Sequence, residues 1–430
     1  MTNLFFSRSL ALLVVVFINL VIIPSCNAFP TCGTTAPAQD ALNFTTSALS
    51  LDHHPFGIAY YTNDIAFVII RRSIGVLDMS NFTPVLKYTV EPSRAVLAHL
   101  GLSEDQPDSD DYIFHGLVLS PDRRALYAAG GYGALVVDPE RAMNGQNNSV
   151  IGVLANNGIA GNYSAMVAIT PDSRTVFLTQ EFGSIINGHR GNVEVWKVTQ
   201  GPNGLVTGVY GGFVNLGYAT VGMAFSRDNS KLYVTSEMTG LADSLGGLLE
   251  GSISVLDIET LQVNPANAVL YTISAGCHPV RIIPGTGGNH IWVSTRESNS
   301  LMVHDADKLE CEDTANDALV SSIQVGTSPV SLAAVGNFVL TADSNRWGYD
   351  NTTTGLSVVS TNSVAQGKLV NYPQIPTGLF PREFGLSPDG KTLLVSEFDG
   401  YAVRAVDVSP LTGHGSSSHT QRTMRTRGLK

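Results

Sequence analysis

The sequence predicts an all-β protein: a seven-bladed β-propeller of four-stranded antiparallel blades, with the last blade closed by an N-terminal strand. Three observations carry that prediction. A strand–turn–strand hairpin recurs as LSPDRRALYAAG at 119, ITPDSRTVFLTQE at 169, FSRDNSKLYVTSE at 225 and LSPDGKTLLVSE at 386. Its first strand can be found seven times, beginning at Gly57, Gly116, Met166, Gly222, Val280, Val330 and Glu383, at intervals of 50 to 59 residues, the period of one blade per repeat. Helical periodicity is essentially absent, and 42 glycines suit a chain of many turns.

Each unit reads strand by strand. In the second, GLVLS is the inner strand, PDRR the turn, ALYAAG the second strand, GALVVD the third, and SVIGVLA, near residue 150, the fourth. Proline presets the backbone angle at such a turn, and aspartate bonds neighbouring backbone amides. Third strands recur as SIGVLDMS, NVEVWKV, SISVLDIE, NSLMVHDA, GLSVVST and YAVRAVD, with apolar residues suited to packing between blades. The last unit has only three strands before Pro410, and an open edge invites aggregation. The segment ALNFTTSALS at 41–50 is therefore expected to supply the missing strand and bring the chain ends together.

Residues 1–28 hold Arg8, the apolar run LALLVVVFINLVII and then PSCNA, the layout of a secretory signal cut after Ala28; the alternative is a retained membrane anchor. The propeller is expected over 29–410, followed by a solvated basic tail at 411–430. Five sequons, at Asn43, Asn81, Asn147, Asn162 and Asn351, fit a secretory route with N-glycosylation. Three cysteines remain after cleavage, Cys32, Cys277 and Cys311; an odd number leaves one thiol outside any internal pair, and the spacing does not choose among the pairings. The formal charge of −11 argues against nucleic acid as a partner. No phosphate loop, HExxH, G-x-S-x-G elbow or cysteine nucleophile is recognisable.

The cadence SRDNSKLYVTSE or SPDGKTLLVSE followed by SISVLDIE resembles that of YVTN-repeat and lactonase-like seven-bladed propellers. The likeness covers nearly all of the mature chain, and its motifs are structural. It departs from the family in placing glutamate where asparagine is expected after the second strand. Lactonase-like propellers include sugar-lactone hydrolases and muconate-type cycloisomerases, and similar secreted fungal propellers include cyclases of secondary metabolism such as hetero-Diels–Alderases. The resemblance therefore implies a cofactor-free secreted enzyme, and the cyclase reading suits the signal and sequons best. Lactonase or cycloisomerase chemistry is one alternative. A noncatalytic glycan- or protein-binding propeller is another.

In such a blade the inner strand begins and the second strand ends on one face of the disc, so side chains from those positions converge on the central channel. The first set includes His54, His115, His278, Arg382 and Glu383; the second includes Arg71, Arg72, Glu181, Glu237, Arg296, Glu297, Asp343, Arg346, Trp347 and Glu397. His278, His115, Arg296, Glu297, Arg346 and Arg382 are the expected catalytic groups, as proton carriers or stabilisers of developing charge. Trp347, Glu181, Glu237, Glu397 and His54 are the expected substrate contacts. Structural ion pairs between blades are the plainer explanation of the same glutamates. No metal is expected, calcium at the channel mouth being the minor alternative. The expected partner is a small molecule bound by a secreted monomer. Long loops at 181–196 and 237–252 and around Trp347 are expected to wall the pocket.

Overall fold

A computed structural model describes residues 31–413 apart from 38, 104, 108–111, 241–249, 349–353 and 367–371. The signal segment, the sequon at Asn351 and the tail beyond residue 413 lie outside the described residues, as do parts of the loops after Glu237 and Trp347. Seven sheets are present, six of them four-stranded and one five-stranded. Blade 1 opens with Pro55–Thr62, blade 2 with Leu117–Leu119, blade 3 with Ser164–Ile169 and blade 4 with Tyr218–Phe225. The inner strands of blades 5 to 7 are Pro279–Pro284, Pro329–Val335 and Pro381–Leu386. Closure is by the N-terminal arm: Thr46–Ser50 pairs antiparallel with Ala402–Asp407, from Thr46 opposite Val406 to Ser50 opposite Ala402. The arm does more than the sequence predicts, because Gln39–Ala41 also adds a parallel fifth strand to blade 6 against Tyr372–Pro376.

The strands are sandwiched between blades, so both faces are apolar. In the second strand of blade 4, Leu232 and Val234 pack toward blade 3 while Tyr233 packs toward blade 5, following the two-residue alternation of a strand. Seven apolar clusters fill the seven seams. An eighth, made of Ala165, Val221, Val280 and Val330, lines the axis with short side chains from blades 3 to 6.

The recurring aspartates have two jobs. At the first turn, Asp122, Asp172, Asp228 and Asp389 each accept a backbone amide two residues on and a hydroxyl two residues back, such as Ser226 Oγ to Asp228 at 2.7 Å. At the end of the third strand, Asp138, Asp257 and Asp305 cap short helices at Pro139–Met143, Ile258–Val263 and Ala306–Leu309. Those helical turns, too short to show a helical period in the sequence, lead the chain into the fourth strand. A final turn at Ser409–Thr412 buries Leu411 in the seam between blades 6 and 7, so the packed body runs a few residues past Pro410.

Candidate functional site

Register fixes where the site lies. Pro55 stands opposite Ile70, Ser164 opposite Gln180, Pro279 opposite Thr295, Pro329 opposite Asp343 and Pro381 opposite Glu397. The start of each inner strand therefore shares one face of the disc with the end of its second strand. The residue before the inner strand has a left-handed backbone at His278, Ser328 and Phe380, with φ of 50 to 52°, and Ala219, the second residue of the blade 4 inner strand, shares it at 50°. For residues with a β-carbon this conformation is costly and tends to occur at functional sites.

A cavity of about 140 Å³ opens on the axis at this face. Four arginines line it, Arg281, Arg296, Arg346 and Arg382, together with two carboxylates, Glu181 and Glu237. His115 and the aromatic rings of Phe56, Tyr163, Phe182 and Phe380 complete the wall, over the axial valine and alanine side chains. In a chain of formal charge −11 the cavity inverts the overall sign.

The groups are held by short-range chemistry. Glu237 Oε2 accepts Arg296 Nη2 at 2.5 Å and His278 Nδ1 at 3.3 Å. Burial by itself would raise the Glu237 carboxyl, but Arg296, His278 and Arg346 outweigh it and hold the group below its ordinary value. It is therefore ionised at neutral pH and can only accept, which places the shared proton on His278 Nδ1. His115 is buried, with Nδ1 3.1 Å from the Ser164 carbonyl and its ring edge-on to Phe56. A carbonyl only accepts, so Nδ1 carries the proton and Nε2 is the basic nitrogen of the neutral ring. The Arg382 guanidinium lies 4.3 Å from the Phe56 ring centre and 5.1 and 5.3 Å from those of Phe380 and Phe398, and Arg346 lies 4.7 Å from that of Trp347. Such stacking fixes a guanidinium.

Arg281 is a charged cavity residue that was not expected from the sequence. It is the third residue of an inner strand, PVRIIP, and at 9% exposure it forms a buried ion pair with Glu383 across the channel. Its signal was present in the sequence as a lone charge in an otherwise apolar inner strand. Phe56, Tyr163, Phe182 and Phe380 carried no comparable signal, since aromatic residues at strand ends are ordinary core residues.

Of the expected catalytic groups, His115, Arg296, Arg346 and Arg382 line the cavity, and His278 reaches it through Glu237. Glu297 does not line it; its carbonyl accepts Gly33 N at 2.7 Å, and so it anchors the N-terminal arm. Of the expected substrate contacts, Glu181 and Glu237 line the cavity, whereas His54, Trp347 and Glu397 do not. His54 is stacked between Phe398 and Tyr401 and bonded to the Phe398 carbonyl and the Tyr401 hydroxyl. Trp347 stands on the rim beside Arg346, 47% exposed. Glu397 pairs with Arg404 on the adjoining strand and accepts Gly378 N at 2.7 Å, closing the crossing from blade 6 to blade 7. A β-carbon at Gly378 would collide with that carboxylate.

Outside the cavity, Asp343 and Glu194 are buried hydrogen-bond hubs. Asp343 accepts Ser357 Oγ and Gln374 Nε2, both at 2.6 Å. Glu194 takes Gln180, Asn156 and Trp196. Burial pushes each up to about 7. Arg72 donates to the carbonyls of Tyr112, Gln106 and Pro107, pinning the loop into blade 2. The glutamates that suggested calcium are dispersed: among the described residues no three His, Cys, Asp or Glu side chains converge to hold a metal.

The cysteines resolve as Cys32–Cys277, with Cys311 an exposed free thiol. Cys277 is next to His278, and Asn299 Nδ2 donates to Thr34 O at 2.6 Å, so the arm is fastened beside the Glu237 cluster. Asn43, Asn81, Asn147 and Asn162 are exposed. Among the described residues no helix is long and apolar enough to cross a membrane.

No family model matches the chain, and no curated protein sequence does. Solved structures share its fold. A chain of the hydrazine synthase of Kuenenia stuttgartiensis superposes with a TM-score of 0.57 at 14% identity, over 84% of this chain and 97% of that one. A chain of a mitotic checkpoint complex gives 0.56 at 11% identity over 94% and 99%. The WD40 propeller domain of Doa1 gives 0.55 at 9% identity over 86% and 98%. At such low identity the likeness concerns architecture alone, so the resemblance to YVTN-repeat and lactonase-like propellers is supported at the level of the fold. The chain is a seven-bladed β-propeller whose arginine-rich cavity lies on its axis.

Proposed function

We propose that this protein is a secreted enzyme that binds an anionic organic molecule at the channel mouth and opens or closes a lactone ring as muconate-type cycloisomerases do, a proton being taken from carbon as the ring C–O bond breaks to release the carboxylate and returned to carbon as that bond forms. The observation that carries the reading is the convergence of four guanidinium groups with a tautomer-fixed imidazole around one small cavity. In this reading Arg346 and Arg382 hold the substrate anion, Arg296 faces the developing oxyanion, and His115 Nε2 takes or returns the proton. Glu237, already ionised, keeps Arg296 in place. The cycloaddition reading has less support, because about 140 Å³ is well below the usual volume of an organic ligand's pocket and would not enclose two large reacting partners.

The test is turnover of unsaturated butenolide carboxylates, followed by absorbance of the conjugated dienoate. His115→Gln is expected to lower kcat by about 10²–10⁴ with little change in KM, and Arg382→Met to raise KM. Unchanged kinetics in both variants, with an active parent protein, would reject this placement of the site. The secretory part of the reading rests on the signal pattern, the exposed sequons and the disulfide. Protein secreted from a eukaryotic host should lose mass on enzymatic removal of N-glycans, and an unmodified chain would contradict it.

A further inference from the structure

The pocket face exposes large apolar side chains to water. Ile185 and Ile186 are 81% and 76% exposed, Ile159 48% and Phe182 38%. They form one patch, because Ser184 Oγ donates to the Ile159 carbonyl at 2.9 Å and Gly161 bridges Gly183, joining the two loops. The patch adjoins the cavity directly: Phe182 belongs to both, and Glu181 and Tyr163 line the cavity from the same two loops. Leu379, 62% exposed, precedes the cavity residue Phe380 in the crossing from blade 6 to blade 7. An arginine-rich hollow too small for most organic ligands thus opens onto an apolar ledge, and contiguous exposed apolar surface of this kind marks a binding surface.

We propose that the ligand is an anionic amphiphile, whose carboxylate head enters the arginine-lined cavity while its hydrocarbon chain lies over Phe182, Ile185, Ile186 and Ile159. Charge complementarity assigns the head, since guanidinium groups recognise carboxylates in defined geometry. The cavity volume assigns the tail to the ledge, because the cavity has room for the head and a few carbons only. This inference rests on the channel mouth being an anion site and adds to it the substrate class.

The experiment is calorimetric titration of the full chain with butyrate, decanoate below its micellar concentration, and decan-1-ol. Each methylene removed from water strengthens binding about fourfold, so shielding half of the six additional methylenes of decanoate gives roughly sixtyfold tighter binding than butyrate. Decan-1-ol, lacking the charge, should bind far more weakly than decanoate. Ile185→Ser/Ile186→Ser should lose most of the decanoate advantage while butyrate binding stays as it was. Equal affinity for butyrate and decanoate, or a decanoate advantage untouched in the double variant, overturns the amphiphile and leaves the anion site standing. Binding of neither carboxylate overturns both. Sedimentation with neutral phosphatidylcholine vesicles that depends on Ile185 and Ile186, without rim-dependent decanoate binding, would instead make the ledge a membrane contact and likewise overturn the proposal.

Discussion

Glu383→Gln removes the counter-charge of Arg281 and leaves a guanidinium buried near the axis. The two side chains are only 10% and 8% exposed, so solvent screens the pair little. Ser331 Oγ, 3.5 Å from Glu383 Oε2, cannot replace a carboxylate. Breaking such a pair from one side costs about 3–5 kcal/mol, while removing both charges costs far less. Against the 5–15 kcal/mol typical of a folded domain, the single loss is severe. The assay is equilibrium urea unfolding of the parent, Arg281→Met, Glu383→Gln and the double variant. Trp292, fully buried in the seam between blades 5 and 6, serves as the fluorescent reporter. The double variant should be more stable than the sum of the single losses implies by about 2 kcal/mol or more, with unchanged denaturant dependence. Additive losses, or a loss below about 1 kcal/mol for Glu383→Gln, would refute the argument that this pair joins blade 5 to blade 7 across the channel.

Asp343, with a folded pKa near 7, favours the protonated form more than the unfolded chain does. Its contribution is therefore complete below about pH 4 and is lost as pH rises to 7, by about 1.4 kcal/mol per pH unit at most. Urea midpoints at pH 5 and pH 8 should differ less in Asp343→Asn than in the parent, and identical slopes would refute it. Glu237 has the opposite sign: its depressed value contributes stability above the ordinary carboxylate range that is lost as pH falls through the folded value, and Glu237→Gln should remove this acid-side dependence. The disulfide spans 245 residues and holds the arm against blade 5. Cys32→Ser should reduce unfolding free energy by about 2–5 kcal/mol and expose residues 31–37 to limited proteolysis; unchanged stability and protection would show that the hydrogen bonds from Gly33 N to the Glu297 carbonyl and from Asn299 to Thr34 suffice.

Blade count, strand order within each blade and closure by the segment around Thr46–Ser50 were all legible in the amino-acid sequence. Each rests on local information: a hairpin is specified by its own turn residues and by alternation along its strands, and the repeat then sets the number. Placement of the recurring cadence was legible for the same reason, with Asp122 holding a turn and Asp138 starting a helical turn through bonds two or three residues away. The cavity was only partly legible. Sequence position put His115, Glu181, Glu237, Arg296, Arg346 and Arg382 on one face, but it put Glu397, His54 and Glu297 there equally well. What separated them was the partner each one found: Arg404 on the next strand and the Gly378 crossing take the Glu397 carboxylate, Phe398 and Tyr401 at the far end of the chain take His54, and the Glu297 backbone carbonyl holds the arm. Arg281 meets Glu383 across 102 residues, and Cys32 meets Cys277 across 245. Such contacts exist only once the ring has closed, because closure is what brings the ends of separate blades within bonding distance around a common axis.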